Sequence, residues 1–321
     1  MIFSGYPKIH ALGNKSCALS ENQTLPVYVS EKLDGSNVSI HCIEVIDSDG
    51  SCEGTRKELK LGSRTRWIDP HNKQFACFTA WVKAHEEVLL VTMKPGEVLW
   101  GEFCNNHNVL QYDRRSPFIL FDMTYDDLRD NRQYITPESW ALYKQKRGWD
   151  FIECTSFMFF RGGLSDISAK YLNDLLSTQS LLGGQREGVV IKHYDATDDY
   201  GQPLFAKIVK DDFKESHKEV YGDPGDSIEQ TLCQLVFNEA RFHKGIQRLR
   251  DNGEYTETMK DMGKLLSTIQ KDIEEESMPD IATYLVGKFW PSAKKIVNHK
   301  IVTRYKQQLG MGVNPNETPN P

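Results

Sequence analysis

The sequence predicts an α+β fold, strand-rich over the first two thirds of the chain and all-helical behind it. Three observations carry that expectation. Four short apolar runs with a charged residue at or near one end occur at Leu99-Trp100-Gly101-Glu102-Phe103, Phe118-Ile119-Leu120-Phe121-Asp122, Glu187-Gly188-Val189-Val190-Ile191-Lys192 and Phe205-Ala206-Lys207-Ile208-Val209-Lys210. Such runs are expected of buried strands that present polar groups at a cleft. Later the period changes: Leu232, Leu235, Val236, Phe242, Ile246 and Leu249 recur at helical spacing, as do Met262, Leu265, Leu266, Ile269 and Ile273. Between the two regimes, Tyr221-Gly222-Asp223-Pro224-Gly225-Asp226-Ser227 has the composition of a hinge. The expected organisation is a first domain over residues 1–220, a linker over 221–227, a helical domain over 228–309 and a disordered tail over 310–321 with three prolines and little apolar content.

Taken in order, the first informative element is the strand-like Val27-Tyr28-Val29, followed at once by Glu31-Lys32-Leu33-Asp34-Gly35-Ser36-Asn37. A lysine between two carboxylates, ahead of a Gly-Ser turn, suits a nucleophile aimed at phosphorus. Near neutral pH only about one lysine in a thousand carries a free amine, so activation requires roughly three pKa units, about 4 kcal/mol, from nearby cations, desolvation or a metal. Gly62-Ser63-Arg64-Thr65-Arg66 comes about thirty residues later and offers a guanidinium suited to phosphate. The four charged strands follow, with an amphipathic stretch around Pro137 to Lys146. Asp226 or Ser227 is placed to cap the first C-terminal helix. A third helical region, about residues 281–308, holds Lys288, Lys294, Lys295, Lys300, Arg304 and Lys306 with no acid, either a solvated face or a phosphate-contacting one.

In this order the motifs resemble those of the covalent nucleotidyltransferases, the superfamily of ATP-dependent DNA and RNA ligases and capping guanylyltransferases, over roughly residues 6 to 213. The resemblance implies a ligase-type adenylylation domain (ATP-grasp-like) of antiparallel sheets with helices, followed by a small all-α domain. That helical C-terminal part is similar to the accessory domain of the nick-sealing RNA ligase 2 family, whereas DNA ligases and capping enzymes usually continue into an OB-fold. Glu31 directly before the lysine, Asn37 after it, Arg64-Thr65 and the lead-in Tyr6-Pro7-Lys8-Ile9 resemble the same family.

The resemblance implies the following roles. Lys32 attacks the α-phosphate of ATP. Glu31 receives the adenine amino group or positions the strand end, and Asn37 bonds the ribose or the AMP phosphate. Arg64 contacts AMP or the 5′-phosphate of the nick. Glu102 binds ribose hydroxyls or a metal-bound water, Phe121 stacks on adenine, and Val190 forms the opposite apolar wall. Glu187 holds Mg²⁺ (or Mn²⁺), with Glu102 and with Asp122 as a supporting or metal-linked carboxylate. Lys192 is a structural or phosphate-contacting lysine. Lys207 and Lys210 supply charge near Lys32 and the triphosphate. One departure is visible: the family tends to Lys-x-Lys, whereas Lys207 and Lys210 are three apart and cannot share a face of a regular strand.

The implied activity is ATP-dependent joining of a 3′-hydroxyl to a 5′-phosphate through lysyl-AMP and an adenylylated 5′ end. The implied substrates are nicks in duplex RNA, broken RNA ends or RNA/DNA hybrids, and the enzyme is expected to be a monomer. The alternatives are an ATP-dependent DNA ligase, a GTP-dependent capping enzyme and a non-catalytic RNA-binding protein. A net charge of −6 argues against a tight, non-specific nucleic-acid coat, although residues 228–310, with 13 Lys+Arg against 11 Asp+Glu, carry a net +2. Seven scattered cysteines with no C-x-x-C pair indicate neither a disulfide framework nor a structural zinc site. With no secretory signal pattern and no membrane-length apolar run, the expectation is a soluble cytoplasmic protein.

Overall fold

A computed structural model of the chain describes residues 3–14, 17–19, 24–46, 55–105, 110–126, 132–198, 203–210 and 227–309. The architecture is α+β. In chain order the elements are β1 (His10–Ala11), β2 (Val27–Lys32), β3 (Ser36–Ile46), β4 (Thr55–Ser63), α1 (Ala76–Ala84), α2 (Glu86–Thr92), β5 (Glu97–Cys104), β6 (Ser116–Asp126), β7 (Arg132–Ile135), α3 (Pro137–Lys146), β8 (Glu153–Cys154), β9 (Phe157–Phe160), α4 (Ala169–Ser177), β10 (Gly188–Thr197), β11 (Pro203–Val209), α5 (Ile228–Val236), α6 (Glu239–Asp251) and α7 (Met262–Gln308). One sheet runs β1-β11-β10-β2-β9 and the other β4-β3-β5-β6-β7, with β8 beside β6. All pairings are antiparallel except β1 with β11 and β6 with β8.

Two compact units emerge: Met1–Glu215 with Asn238–Ile269, and Ser216–Phe237 with Gln270–Pro321. The first holds both sheets together with α6 and the start of α7. Residues 221–226 of the expected linker and the 310–321 tail lie outside the described residues. Ser227 caps α5 through a capping box: its hydroxyl accepts from the Gln230 N–H, and the Gln230 side chain accepts from the Ser227 N–H. The helical stretches expected around 262–273 and 281–308 are one helix, α7. Residues 274–280, Glu-Glu-Glu-Ser-Met-Pro-Asp, hold no glycine or asparagine to reverse the chain, and the helix runs on through Pro279 and Pro291. None of the described helices is long and apolar enough to cross a membrane.

Each sheet of the first unit has its own core. Phe78, Val82, Leu89 and Trp140 from α1, α2 and α3 pack on Ile40, Leu99 and Phe118. Val27, Val29, Val189 and Ile191 pack with Leu172 and Leu176 of α4. A third cluster joins the two sheets, with Trp100 and Phe121 from one, Phe205 and Tyr194 from the other, and Tyr6 between them.

Crossing from sheet to sheet sets up the site. β2 belongs to the first sheet and β3 to the second, so Leu33-Asp34-Gly35 carries the chain from one to the other within three residues. Gly35 is required there: a Cβ would lie 2.6 Å from the Phe103 carbonyl oxygen and 3.0 Å from both Cys104 Sγ and Glu102 Cγ.

Candidate active site

Strand alternation sorts the side chains of β2. Val27, Val29 and Glu31 are buried, while Tyr28, Ser30 and Lys32 are half-buried on the other face. Lys32 therefore leaves the sheet on the face opposite to Glu31. Its Nζ lies 2.6 Å from Oε2 of Glu187, the residue just before β10, where Gly188 pairs with Lys32. The other Glu187 oxygen is 3.3 Å from Lys244 Nζ of α6. Burial pushes the Glu187 carboxyl up, but the two ammonium groups outweigh it and hold the group below its ordinary range.

Asp34 anchors the crossing. Its Oδ2 accepts from the Leu110 N–H at 3.0 Å, and its own N–H donates to the Tyr112 hydroxyl at 2.7 Å. Burial and the neighbouring Glu187 raise its pKa, against the Leu110 bond, Lys32 and Lys244.

Asn37 of β3 lies directly opposite Glu102 of β5, so both project from the same face of the second sheet. The Glu102 carboxyl is pushed up to about 8. Burial is the main cause; Lys32 opposes it, and Glu187, Asp34 and Asp251 add to it. Among the described residues, three acceptors in this region are buried without a donor: Oε1 of Glu31, Oδ1 of Asn37 and Oε1 of Gln247. The other Glu31 oxygen accepts from the Leu181 N–H at 2.9 Å and lies 3.7 Å from Arg186.

Lys207 on β11 pairs with Val190 on β10, and Val190 pairs with Ser30 on β2. Lys207, Val190, Ser30 and Lys32 thus share one face, with Lys207 two strand spacings, about 9.5 Å, from β2. Lys210 lies just past β11, and its N–H donates to the Glu187 carbonyl at 2.9 Å, closing the backbone around Glu187. Arg64 is exposed beyond the end of β4, and its charge bears on Asp251.

Asp122 stands apart from this group. Its Oδ2 accepts from the Tyr6 hydroxyl at 2.6 Å and Lys192 Nζ at 3.0 Å, and its Oδ1 from the Tyr194 hydroxyl at 3.2 Å. Of the two roles open to it in sequence, these partners fit the supporting one, a tie between β6 and β10. Lys192 lies in the same cage, its ammonium 4.9 Å from the Phe121 ring centroid. Phe121 is the extra residue where the β5–β6 register shifts between Trp100 and Gly101.

Sequence reasoning missed the α6 residues. Lys244, Gln247 and Asp251 lie three and four apart, on one face of the helix. Gln247 Nε2 donates to Ser36 Oγ and to Asp251 Oδ1, and Ser36 Oγ donates to Asp251 Oδ1 at 2.9 Å. Gln74 Nε2 also donates to that oxygen. Burial pushes the Asp251 carboxyl up to about 7, against the bonds from Ser36, Gln74 and Gln247 and the charge of Arg64. Only the 3.6-residue period of this segment was readable, and that announces a helix without saying what its polar face meets.

The donor set fits a divalent cation held partly through water. Glu187 and Glu102 are carboxylates whose charges oppose each other, which a cation would relieve. Among the described residues no three His, Cys, Asp or Glu side chains cluster to form a cage. Mg²⁺ keeps several waters and takes one or two carboxylates plus substrate phosphates.

Residues 25–209 match the model of the RNA ligase family. No curated protein matches the chain. Solved structures similar to it include a Naegleria gruberi RNA ligase variant with ATP and Mn, at a TM-score of 0.45 and 18% identity, covering 67% of this chain and 60% of that one. A second variant of that enzyme with ATP and Mn gives 0.43 and 18%, covering 60% and 51%. The enzyme with PPi gives 0.43 and 18%, covering 66% and 59%. The chain therefore spans between 51% and 60% of the length of these solved chains.

Proposed function

The chain belongs to the RNA ligase family, and we propose that it is an ATP-dependent RNA ligase working through a lysyl-AMP intermediate. The observation that carries this reading is Lys32 at the end of β2, 2.6 Å from Glu187, with Val190 and Lys207 on its face of the sheet. Motif residues spread over nearly 180 positions of sequence converge there.

The residues divide the work as follows. Lys32 parts from Glu187, loses its proton and attacks the α-phosphate of ATP, forming a phosphoramidate to AMP and releasing pyrophosphate. Glu31 Oε1, buried and without a donor, is an acceptor suited to the adenine amino group, and Asn37 Oδ1 is one suited to a ribose hydroxyl. Phe121 and Val190 flank the base. Arg64 and Lys207 neutralise phosphate charge, and Lys210 ties the backbone at Glu187. Glu187 and Glu102 would hold Mg²⁺ or Mn²⁺, which would supply charge neutralisation on the phosphates.

AMP then passes to the 5′-phosphate of an RNA strand, and the adjacent 3′-hydroxyl displaces it to close the phosphodiester. The substrate we favour is a nick in duplex RNA or an RNA-containing hybrid, sealed by a monomeric enzyme. Lys288, Lys294, Lys295, Lys300, Arg304 and Lys306, all exposed on α7, are suited to contact RNA phosphates.

Intact mass spectrometry tests the first step. After incubation with ATP and Mg²⁺ the chain should carry an AMP adduct that is absent with GTP and absent in Lys32→Ala. A GMP adduct would move the reading to capping chemistry. No adduct with either nucleotide, and none on the protein as purified, would remove it.

A further inference from the structure

Glu187 is almost fully buried, yet both its oxygens are occupied by cations, Lys32 Nζ at 2.6 Å on Oε2 and Lys244 Nζ at 3.3 Å on Oε1. The second cation comes from α6, outside the residues that match the family model. It is held there by design of the helix. Asn238 caps α6 by accepting from the Arg241 N–H. Gly245 lets the helix approach so closely that a Cβ there would lie 2.7 Å from Ile269 Cγ1. Further along, Gln247 and Asp251 grip Ser36, the first residue after the Leu33-Asp34-Gly35 crossing. The helix is thus tied at both ends of the nucleophile motif, to Ser36 directly and to Lys32 through Glu187.

Two ammonium groups share one carboxylate, and a divalent cation on Glu187 must take an oxygen from one of them. The Lys32 contact is short and comes from a strand end. The Lys244 contact is longer, 3.3 Å against 2.6 Å, and so the weaker of the two. Lys244 is therefore the group that yields. Once off Glu187, its charge lies within side-chain reach of wherever phosphates bind against Lys32, since both lysines meet the same carboxylate.

We propose that Lys244 is a resident counter-ion of Glu187, displaced when a divalent cation binds there and then turned to the phosphates of the nucleotide. This rests on the reading of Glu187 as the metal-holding carboxylate. It makes α6 part of the active site, with Lys244 contacting substrate only after the cation has arrived.

The test is Mn²⁺ binding to the nucleotide-free full chain, read from the free-ion EPR signal, for the parent, Lys244→Met, Lys244→Arg and Glu187→Gln. With its competitor gone, Lys244→Met should bind Mn²⁺ roughly fivefold to tenfold more tightly. Lys244→Arg, which keeps the charge, should stay near the parent. With Mn²⁺ saturating, Lys244→Met should raise the KM for ATP in adduct formation by on the order of tenfold. If binding depends on Glu187 but Lys244→Met binds Mn²⁺ no tighter than the parent, the counter-ion role is overturned while the metal reading stands. If Glu187→Gln leaves Mn²⁺ binding unchanged, the metal reading falls and takes this inference with it.

Discussion

Replacing Asp122 by Asn should destabilise the first unit more than replacing its partner Lys192 by Met, although the two groups form one ion pair. Both are deeply buried: the Asp122 side chain is 0% exposed and that of Lys192 4%. Deleting one member of a buried pair typically costs about 3–5 kcal/mol because the other charge is left uncompensated. Here the remaining partners differ. Without Lys192, the Asp122 carboxylate keeps donors from the Tyr6 hydroxyl at 2.6 Å, the Tyr194 hydroxyl at 3.2 Å and the Met123 N–H at 3.1 Å. Without a carboxylate at 122, Lys192 keeps the Phe121 carbonyl at 3.3 Å and the faces of Tyr6, Phe121 and Phe205 at 5.4, 4.9 and 5.3 Å. Ring faces contribute about 0.5–2 kcal/mol each at best, less than a lost ionic partner in so dry a site.

Asp122→Asn should therefore fall at the full value of about 3–5 kcal/mol, and Lys192→Met about 1–2 kcal/mol below it, since three hydrogen bonds still satisfy the anion. The double variant, a neutral amide beside a thioether among aromatic rings, should cost less than the sum by about 2 kcal/mol or more. Urea denaturation followed by tryptophan fluorescence measures all three, because Trp100 lies in the same cluster. A Lys192→Met loss larger than that of Asp122→Asn, or strict additivity, would refute the reasoning. Mn²⁺ affinity adds a second reading: Asp122→Asn should leave it within about twofold of the parent, as a carboxylate tying β6 to β10 requires and a metal ligand forbids.

Two further outcomes follow from the site itself. Asp251, with its carboxyl pushed up to about 7, still holds a proton in the folded state where the unfolded chain has released it. Stability should therefore fall as pH rises from about 4 to 7, by at most about 1.4 kcal/mol per unit, and less because the group is only half-buried. Asp251→Asn should flatten that slope, and Tm-versus-pH curves running parallel for variant and parent would contradict it. Gly35→Ala forces a Cβ to 2.6 Å from the Phe103 carbonyl and 3.0 Å from Glu102 Cγ. It should cost about 1–3 kcal/mol and slow adduct formation on the order of 100-fold by misplacing Lys32 and Glu102; a rate within about twofold of the parent would count against it.

How legible each part was in the sequence follows from the range of its interactions. β2, β5, β6, β10 and β11 were readable because a buried strand shows its burial locally, as an apolar run. Lys32 was readable because its neighbours at 31, 34 and 35 are contiguous with it. The partners of Asp122 are not contiguous: Tyr6 is 116 residues before it and Lys192 70 after. A carboxylate beside an aromatic in a strand reads the same whether it faces a metal or a buried ammonium, so sequence left both roles open. For Lys207 and Lys210 the spacing separated the two positions without assigning their side chains a role. Three residues apart, they lie in different places, Lys207 on the face shared with Lys32 and Lys210 just past β11 with its backbone N–H on the Glu187 carbonyl.

The hinge-like 221–227 stretch made everything after it look like a separate domain, yet Asn238–Ile269 belongs to the same compact unit as the sheets. There is a physical reason to return a helix to this site. Glu187, Glu102, Asp34 and Asp251 gather four carboxyls around one lysine, and burial raises the cost of ionising each. Until phosphates and a cation arrive, the one carboxyl held below its ordinary range, Glu187, takes positive charge from Lys32 on β2 and Lys244 on α6. A helix can bring such a cation to Glu187 from outside the sheets. Lys244 does so in a segment whose only sequence signature is helical period, so the most informative residue beyond the motifs is one that no motif marks.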